Sequence, residues 1–123
     1  MTATKKILLV DDSATTLFME KMLLEGGPFD LITAQDGREA VDMALAESPD
    51  LILLDVVMPN MDGFEACKAL RSNEATSATP IIMVTTRGEE SHMETGFAAG
   101  CNDYVTKPIN GTELLTKVRN LLG

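Results

Sequence analysis

An α/β fold, with a five-stranded parallel sheet doubly wound by helices into a three-layer (βα)5 sandwich, is what the apolar patterning of this chain predicts. Three runs carry that prediction: Ile7-Leu8-Leu9-Val10, Leu51-Ile52-Leu53-Leu54 and Ile81-Ile82-Met83-Val84. None alternates apolar with polar residues, and each is too short for a helix, so all three read as strands buried on both faces. Between them, apolar residues return at helical spacing. Strands and helices that alternate in this way imply a parallel sheet covered on each side, wound by right-handed crossovers.

Taken in order, Ile7–Val10 is the first strand, and the stripe Phe18, Met19, Met22, Leu23 marks the first helix, with Ser13 as its cap. Phe29 to Ala34, after the turn Gly26-Gly27-Pro28, fits an edge strand. Ala40, Val41, Ala44 and Leu45 predict the buried side of a second helix, opposite Arg38, Glu39, Asp42 and Glu47. Phe64, Cys67 and Leu70 follow the third strand as a third helix; Met93 and Phe97 mark a weaker fourth. Asp103-Tyr104-Val105 is a short fifth strand, and Leu114, Leu115, Val118, Leu121 and Leu122 give the clearest helical stripe. Asp36/Glu39, Asp62/Glu65 and Asn110/Glu113 have the spacing of a capping box, in which each side chain satisfies a free backbone N–H at a helix entrance.

Length and charge narrow the function. The 123 residues fit one domain, 1–123, since single domains commonly hold ~100–150 residues. A net charge of −9 argues against nucleic acid, whose phosphates call for surplus Lys and Arg, and against anionic membrane. It suits divalent cations and basic partner surfaces. Cys67 and Cys101 stand apart without a CxxC or nearby His and read as reduced small hydrophobes, His92 as a solvated helix residue, and most of the methionines as core filler. Met58 and Met61 are the exceptions expected beside the site. With no secretory or membrane-length apolar stretch, the expectation is a cytoplasmic protein without membrane insertion.

In a parallel sheet the residues after each strand share one edge, and ligands bind in the crevice there. Asp11 and Asp12 follow the first strand, Asp55 ends the third, Thr85 and Thr86 the fourth, and Thr106, Lys107 and Pro108 follow the fifth. Close carboxylates repel and need a cation or a proton. Hard oxygen ligands at an open site suit Mg²⁺, and Lys107 neutralises part of the remaining charge. Such a cluster offers a nucleophilic carboxylate, a metal to polarise phosphoryl oxygens, and a Lys and a Thr to bind them.

Val10-Asp11-Asp12, Leu54-Asp55 with Met58-Pro59 and Asp62-Gly63, Val84-Thr85 and Lys107-Pro108 together resemble the receiver domains of two-component response regulators, the CheY-like family. The likeness spans essentially the whole chain and implies strand order 2-1-3-4-5. It makes Asp55 the phospho-acceptor, with Mg²⁺ held by Asp11, Asp12, Asp55 and the backbone carbonyl of Val57. Lys107 pairs with the acceptor and then its phosphoryl group, and its bond to Pro108 is cis. Thr85 hydrogen-bonds a phosphoryl oxygen, and Tyr104 is the aromatic that turns inward when Thr85 moves. Val57, Thr86 and Arg87 fall where side chains govern phosphate lifetime. Thr86 stands where the family commonly carries Ala, and its spacing to Glu89 also allows a helix cap. The apolar Val57 implies a long-lived phosphoryl group, and Gly88 gives the adjoining loop its mobility.

The resemblance implies a stand-alone receiver, phosphorylated by a sensor histidine kinase or phosphotransfer protein, that signals to a downstream protein through the fourth helix, fifth strand and fifth helix. It catalyses its own modification and is not a turnover enzyme on an outside substrate. A phosphorylation-independent adaptor of the same fold would lose an acidic residue or the Lys. A dehalogenase-type phosphatase would carry a second Asp at position 57, and a flavodoxin-like binder a Ser/Thr/Gly-rich loop at 11–12; the sequence has neither.

Overall fold

The computed structural model describes residues 4–86 and 90–123. Five strands and five helices alternate: β1 Lys5–Val10, α1 Ala14–Leu24, β2 Phe29–Ala34, α2 Gly37–Glu47, β3 Leu51–Asp55, α3 Gly63–Ser72, β4 Ile81–Thr86, α4 Glu90–Ala99, β5 Asp103–Lys107 and α5 Gly111–Leu122. The sheet is parallel throughout, in the order β2-β1-β3-β4-β5. The uniform apolar runs explain its centre. Ile7 to Val10 and Leu51 to Leu54 are no more than 1% exposed, because helices cover both faces of β1 and β3.

Strand alternation divides the interior in two. Leu8, Val10, Ile52, Leu54, Ile81 and Met83 face the layer formed by α2, α3 and α4, among Ala40, Ala44, Cys67 and Leu70. Ile7, Leu9, Leu51, Leu53, Ile82, Val84 and Val105 face α1 and α5, among Leu17, Leu24, Leu114 and Val118. Cys67 and Cys101 are buried and free, and burial raises both thiols, Cys101 to about 11, so both stay protonated.

Helix entrances follow the caps. Ser13 Oγ accepts from Thr16 N, Asp36 from Glu39 N, Asp62 from Glu65 N and Asn110 from Glu113 N. Among the described residues only Asp62 and Glu65 complete a reciprocal box; Glu39 instead accepts from the N–H of Gln35, one residue further back. Gly63 is fixed by a close approach, since a Cβ there would lie 2.3 Å from the carbonyl oxygen of Asp55. Its N–H donates to Val56 O at 2.8 Å, which ties the start of α3 to the end of β3.

Several expected packings are corrected. On α1, Phe18, Met19 and Met22 are 63%, 50% and 58% exposed and Leu23 is only partly covered, whereas Leu17, Glu20 and Leu24 face the sheet. On α4, Phe97 is largely exposed and Met93 half-buried; Gly96 and Ala99 make the inner contact. Leu45 also points outward. Met58 belongs to the core and Met61 packs on it, so both fill space as Met43 and Met83 do, whereas Met19 and Met22 do not. His92 is half-buried, its ring edge-on to Phe64 at 5.5 Å, rather than solvated. β5 continues two residues beyond Val105, so Thr106 and Lys107 belong to the strand.

Candidate functional site: an acidic cluster at the carboxyl edge of the sheet

The strand order reverses direction between β1 and β3, and the crevice outside their carboxyl ends is where such folds hold ligands. Asp11 enters it held by its N–H to Ala34 O at 3.1 Å, with its Oδ1 accepting from Ser13 N at 2.9 Å. Asp55 arrives as the last residue of β3, and Val56 N anchors the turn on Val84 O. Carboxylate oxygens of Asp11, Asp12 and Asp55 lie within 4.8 Å of one another. Asp11 and Asp55 are 1% and 4% exposed, while Asp12 is open to solvent.

Lys107 reaches this cluster from β5, across β4. Its Nζ stands 3.3 Å from Asp11 Oδ2 and 3.3 Å from Asp55 Oδ1. Among the described residues, one cation against three carboxylates leaves surplus negative charge. Burial pushes the Asp55 carboxyl up to about 6, Asp11 pushes the same way, and Lys107 only partly opposes them. Burial lowers the Lys107 ammonium, but Asp55 and Asp11 outweigh it and hold its pKa above the ordinary value. Three hard oxygen donors, one of them solvent-facing, fit an Mg²⁺ ion that keeps part of its water shell.

Thr85 is 2% exposed, and its Oγ1 has no hydrogen-bond partner among the described residues. A buried hydroxyl left unpaired is uncommon in a folded protein, and this one stands one strand from Asp55. Thr86 is exposed at the strand end, and Val57 is 65% exposed in the loop after Asp55. Tyr104 pairs with Met83 and Thr106 with Thr85, so Tyr104 and Thr85 share one face of the sheet, one pair apart. The Tyr104 ring is half-buried, edge-on to Phe97 at 6.0 Å, with Lys117 Nζ 4.7 Å from its centroid. Lys117 also pairs with Asp103 at 3.3 Å. The Lys107–Pro108 bond is cis. Arg87, Gly88 and Glu89 lie outside the described residues, and with them the cap proposed for Thr86.

Glu20 is the group that the sequence reading missed. It is fully buried, and neither carboxylate oxygen has a partner among the described residues. Burial, reinforced by Asp11 and Asp55 and opposed by Lys107, pushes its carboxyl up to about 8. No sequence signal marked it, because the bulkier apolar residues of α1 face out and the inward positions Leu17, Glu20 and Leu24 show only in the packed structure.

The comparisons with known proteins agree with this geometry. Residues 7–119 match the family described as "Response regulator receiver domain". The chain is 38% identical over 117 residues to Protein PilH of Pseudomonas aeruginosa, covering 95% of this chain and 97% of PilH. It is 42% identical over 118 residues to the alkaline phosphatase synthesis transcriptional regulatory protein PhoP of Bacillus subtilis, but spans only 48% of that protein's length. Among solved structures, the receiver domain of sensor histidine kinase PA1611 from Pseudomonas aeruginosa, with magnesium coordinated in its active-site cleft, superposes with a TM-score of 0.91. It is 30% identical, with 98% of this chain and 99% of that one covered. The chain spans about half the length of the curated transcriptional regulators that it matches. Among the described residues no helix is long and apolar enough to cross a membrane. A 2-1-3-4-5 sheet with Asp11, Asp55 and Lys107 joined at its carboxyl edge, and a family match over nearly the whole length, carry one conclusion: this chain belongs to the response regulator receiver domain family.

Proposed function

We propose that residues 1–123 form a phosphorelay receiver that accepts a phosphoryl group on Asp55 and signals through a protein contact. The observation that carries this reading is the buried Asp55 carboxylate, paired with Lys107 at 3.3 Å and within 4.8 Å of Asp11 and Asp12. Asp11, Asp12 and Asp55, with the Val57 carbonyl, are the groups to hold Mg²⁺. Bound there, the ion offsets carboxylate repulsion and polarises the phosphoryl oxygens.

The donor is a phosphohistidine of a sensor kinase or phosphotransfer protein, or a small acyl phosphate. An Asp55 oxygen attacks phosphorus, the bond to the donor breaks, and an acyl phosphate remains. Lys107 stabilises the charge on the transferred group, so catalysis is chiefly positioning plus electrostatics. The domain promotes its own modification and turns over no outside substrate.

The output is a population shift. Thr85, whose hydroxyl lacks a partner among the described residues, gains one in a phosphoryl oxygen. Its movement vacates space on the face that it shares with Tyr104, and the surface of α4, β5 and α5 changes for a downstream protein to read. The exposed, apolar Val57 offers no hydrogen bond to orient an attacking water, which favours a slow loss of phosphate; Thr86 and Arg87 tune access. The paired lysine and all three acidic residues weigh against a phosphorylation-independent adaptor. The phosphorelay sets the expected location in the cytoplasm.

Intact-mass measurement after incubation with Mg²⁺ and acetyl phosphate tests the reading. The wild-type protein gains one phosphoryl group, whereas Asp55→Asn and a sample in EDTA gain none. Unmodified wild-type protein, with acetyl phosphate and also with a phosphohistidine donor, would refute it.

A further inference from the structure

Of the buried polar side chains, Asp11, Asp55 and Thr76 all have partners. Thr85 and Glu20 do not, among the described residues, and the phospho-acceptor chemistry makes no use of Glu20. An aliphatic residue would pack more favourably between Leu17 and Leu24, because a buried carboxyl with no hydrogen bond is destabilising.

The alternation of the strands shows what Glu20 faces. Leu9, Leu53 and Val105 all belong to the core layer under α1 and α5. Asp11, Asp55 and Lys107 stand two residues beyond them and continue the same face. Leu17 and Leu24 bring α1 onto that layer, with Glu20 between them. The Glu20 carboxyl interacts electrostatically with Asp11, Asp55 and Lys107 alike. Yet it is not among the three groups whose oxygens lie within 4.8 Å of one another. It lies outside that trio, on the α1 side of the core layer that leads to it.

We propose that Glu20 is an outer-sphere carboxylate of the cation site at Asp11, Asp12 and Asp55, where it accepts a hydrogen bond from cation-bound water and strengthens cation binding. This rests on the reading of that cluster as a divalent-cation site. A hard divalent ion retains several waters, and those waters are donors suited to the unpaired oxygens of Glu20. Groups that hold metal-bound ligands in this way commonly alter affinity by about tenfold or more when removed. Glu20 is a positioning residue and does not touch the phosphoryl group.

Calorimetric titration of Mg²⁺ into wild-type protein, Glu20→Gln and Glu20→Met separates this role from packing. Glu20→Gln keeps the shape and removes the acid, and Glu20→Met removes all polarity while filling the space. Both bind Mg²⁺ about tenfold more weakly than wild type, while their metal-free melting temperatures are equal to wild type or higher. Affinities within twofold of wild type in either folded variant would overturn the role of Glu20 and leave the phospho-acceptor reading intact. Failure of the wild-type protein to bind Mg²⁺ would overturn the cation-site reading itself, and this inference with it.

Discussion

Asp55 occupies a position where an ionised carboxylate is held at some cost. It is nearly inaccessible to water, faces a second buried carboxylate, and among the described residues has one ammonium to offset both. A cation or a transferred phosphoryl group bound by Lys107 and Thr85 changes that balance, so the strain is specific to the resting site. Thr85 gives a sharp test. Thr85→Val keeps its shape and deletes a hydroxyl that has no partner among the described residues, so stability should stay within about 1 kcal/mol of wild type or rise. With one Tyr and no Trp in the chain, fluorotyrosine NMR gives a single resonance from Tyr104. That resonance should shift on phosphorylation of wild type and shift much less in Thr85→Val. A loss above about 2 kcal/mol would mean that the hydroxyl has a structural bond. The acidic residues, Thr85 and Lys107 were legible because strand ends are fixed by the apolar runs before them. Glu20 was not, since a Glu on a helix is ordinarily a solvated residue and only tertiary packing turns this one inward.

The elements that set the site are held by contacts of backbone on backbone. Gly63→Ala would drive a Cβ against the Asp55 carbonyl and should cost about 2–4 kcal/mol, displacing α3 from β3. Gly26→Ala, with nothing within 4 Å, should change stability by less than about 0.5 kcal/mol. Denaturant unfolding of both variants checks the pair. Equal effects would contradict the close approach. At this scale the central strands were plain in the sequence because burial on both faces leaves them uniformly apolar. The edges were less so: β5 carries Thr106 and Lys107 within the strand, and polar residues there look like loop. Helix faces were legible where the apolar stripe is strong, as in α5. They were misread on α1, where Phe18, Met19 and Met22 form an exposed patch, and on α4, where Gly96 and Ala99 pack inward because small residues permit close approach.

For the whole molecule, the acidic site sets a pH dependence. Glu20 has an ordinary value of 4.5 and a folded value of about 8. Between them the unfolded chain gives up the proton and the folded chain keeps it, so stability falls as pH rises. Asp55, raised from 3.8 to about 6, adds a slope of the same sign at lower pH. Asp36 acts oppositely: its carboxylate is favoured by the Glu39 N–H and by Asn60, so its contribution is present above its ordinary value and is lost in acid. It is partly exposed to solvent, and its effect is the smaller. In metal-free buffer the protein should therefore melt at a higher temperature near about pH 5 than near about pH 8. Glu20→Gln should lose much of that difference, and Mg²⁺ should raise the melting temperature more at the higher pH. The sheet order and layers that assemble this site follow from the βα rhythm, but the depth of burial that shifts these groups depends on how α1 sits, which local pattern does not encode.

If Asp55 rather than a neighbouring carboxylate takes the phosphoryl group, the modified residue can be read directly. Borohydride reduction of freshly phosphorylated protein converts an aspartyl phosphate to homoserine, which peptide mapping can place. Homoserine should appear at position 55 alone, and only when Mg²⁺ was present. Homoserine at position 11 or 12, or at no position in protein shown by mass to carry phosphate, would contradict Asp55 as the acceptor.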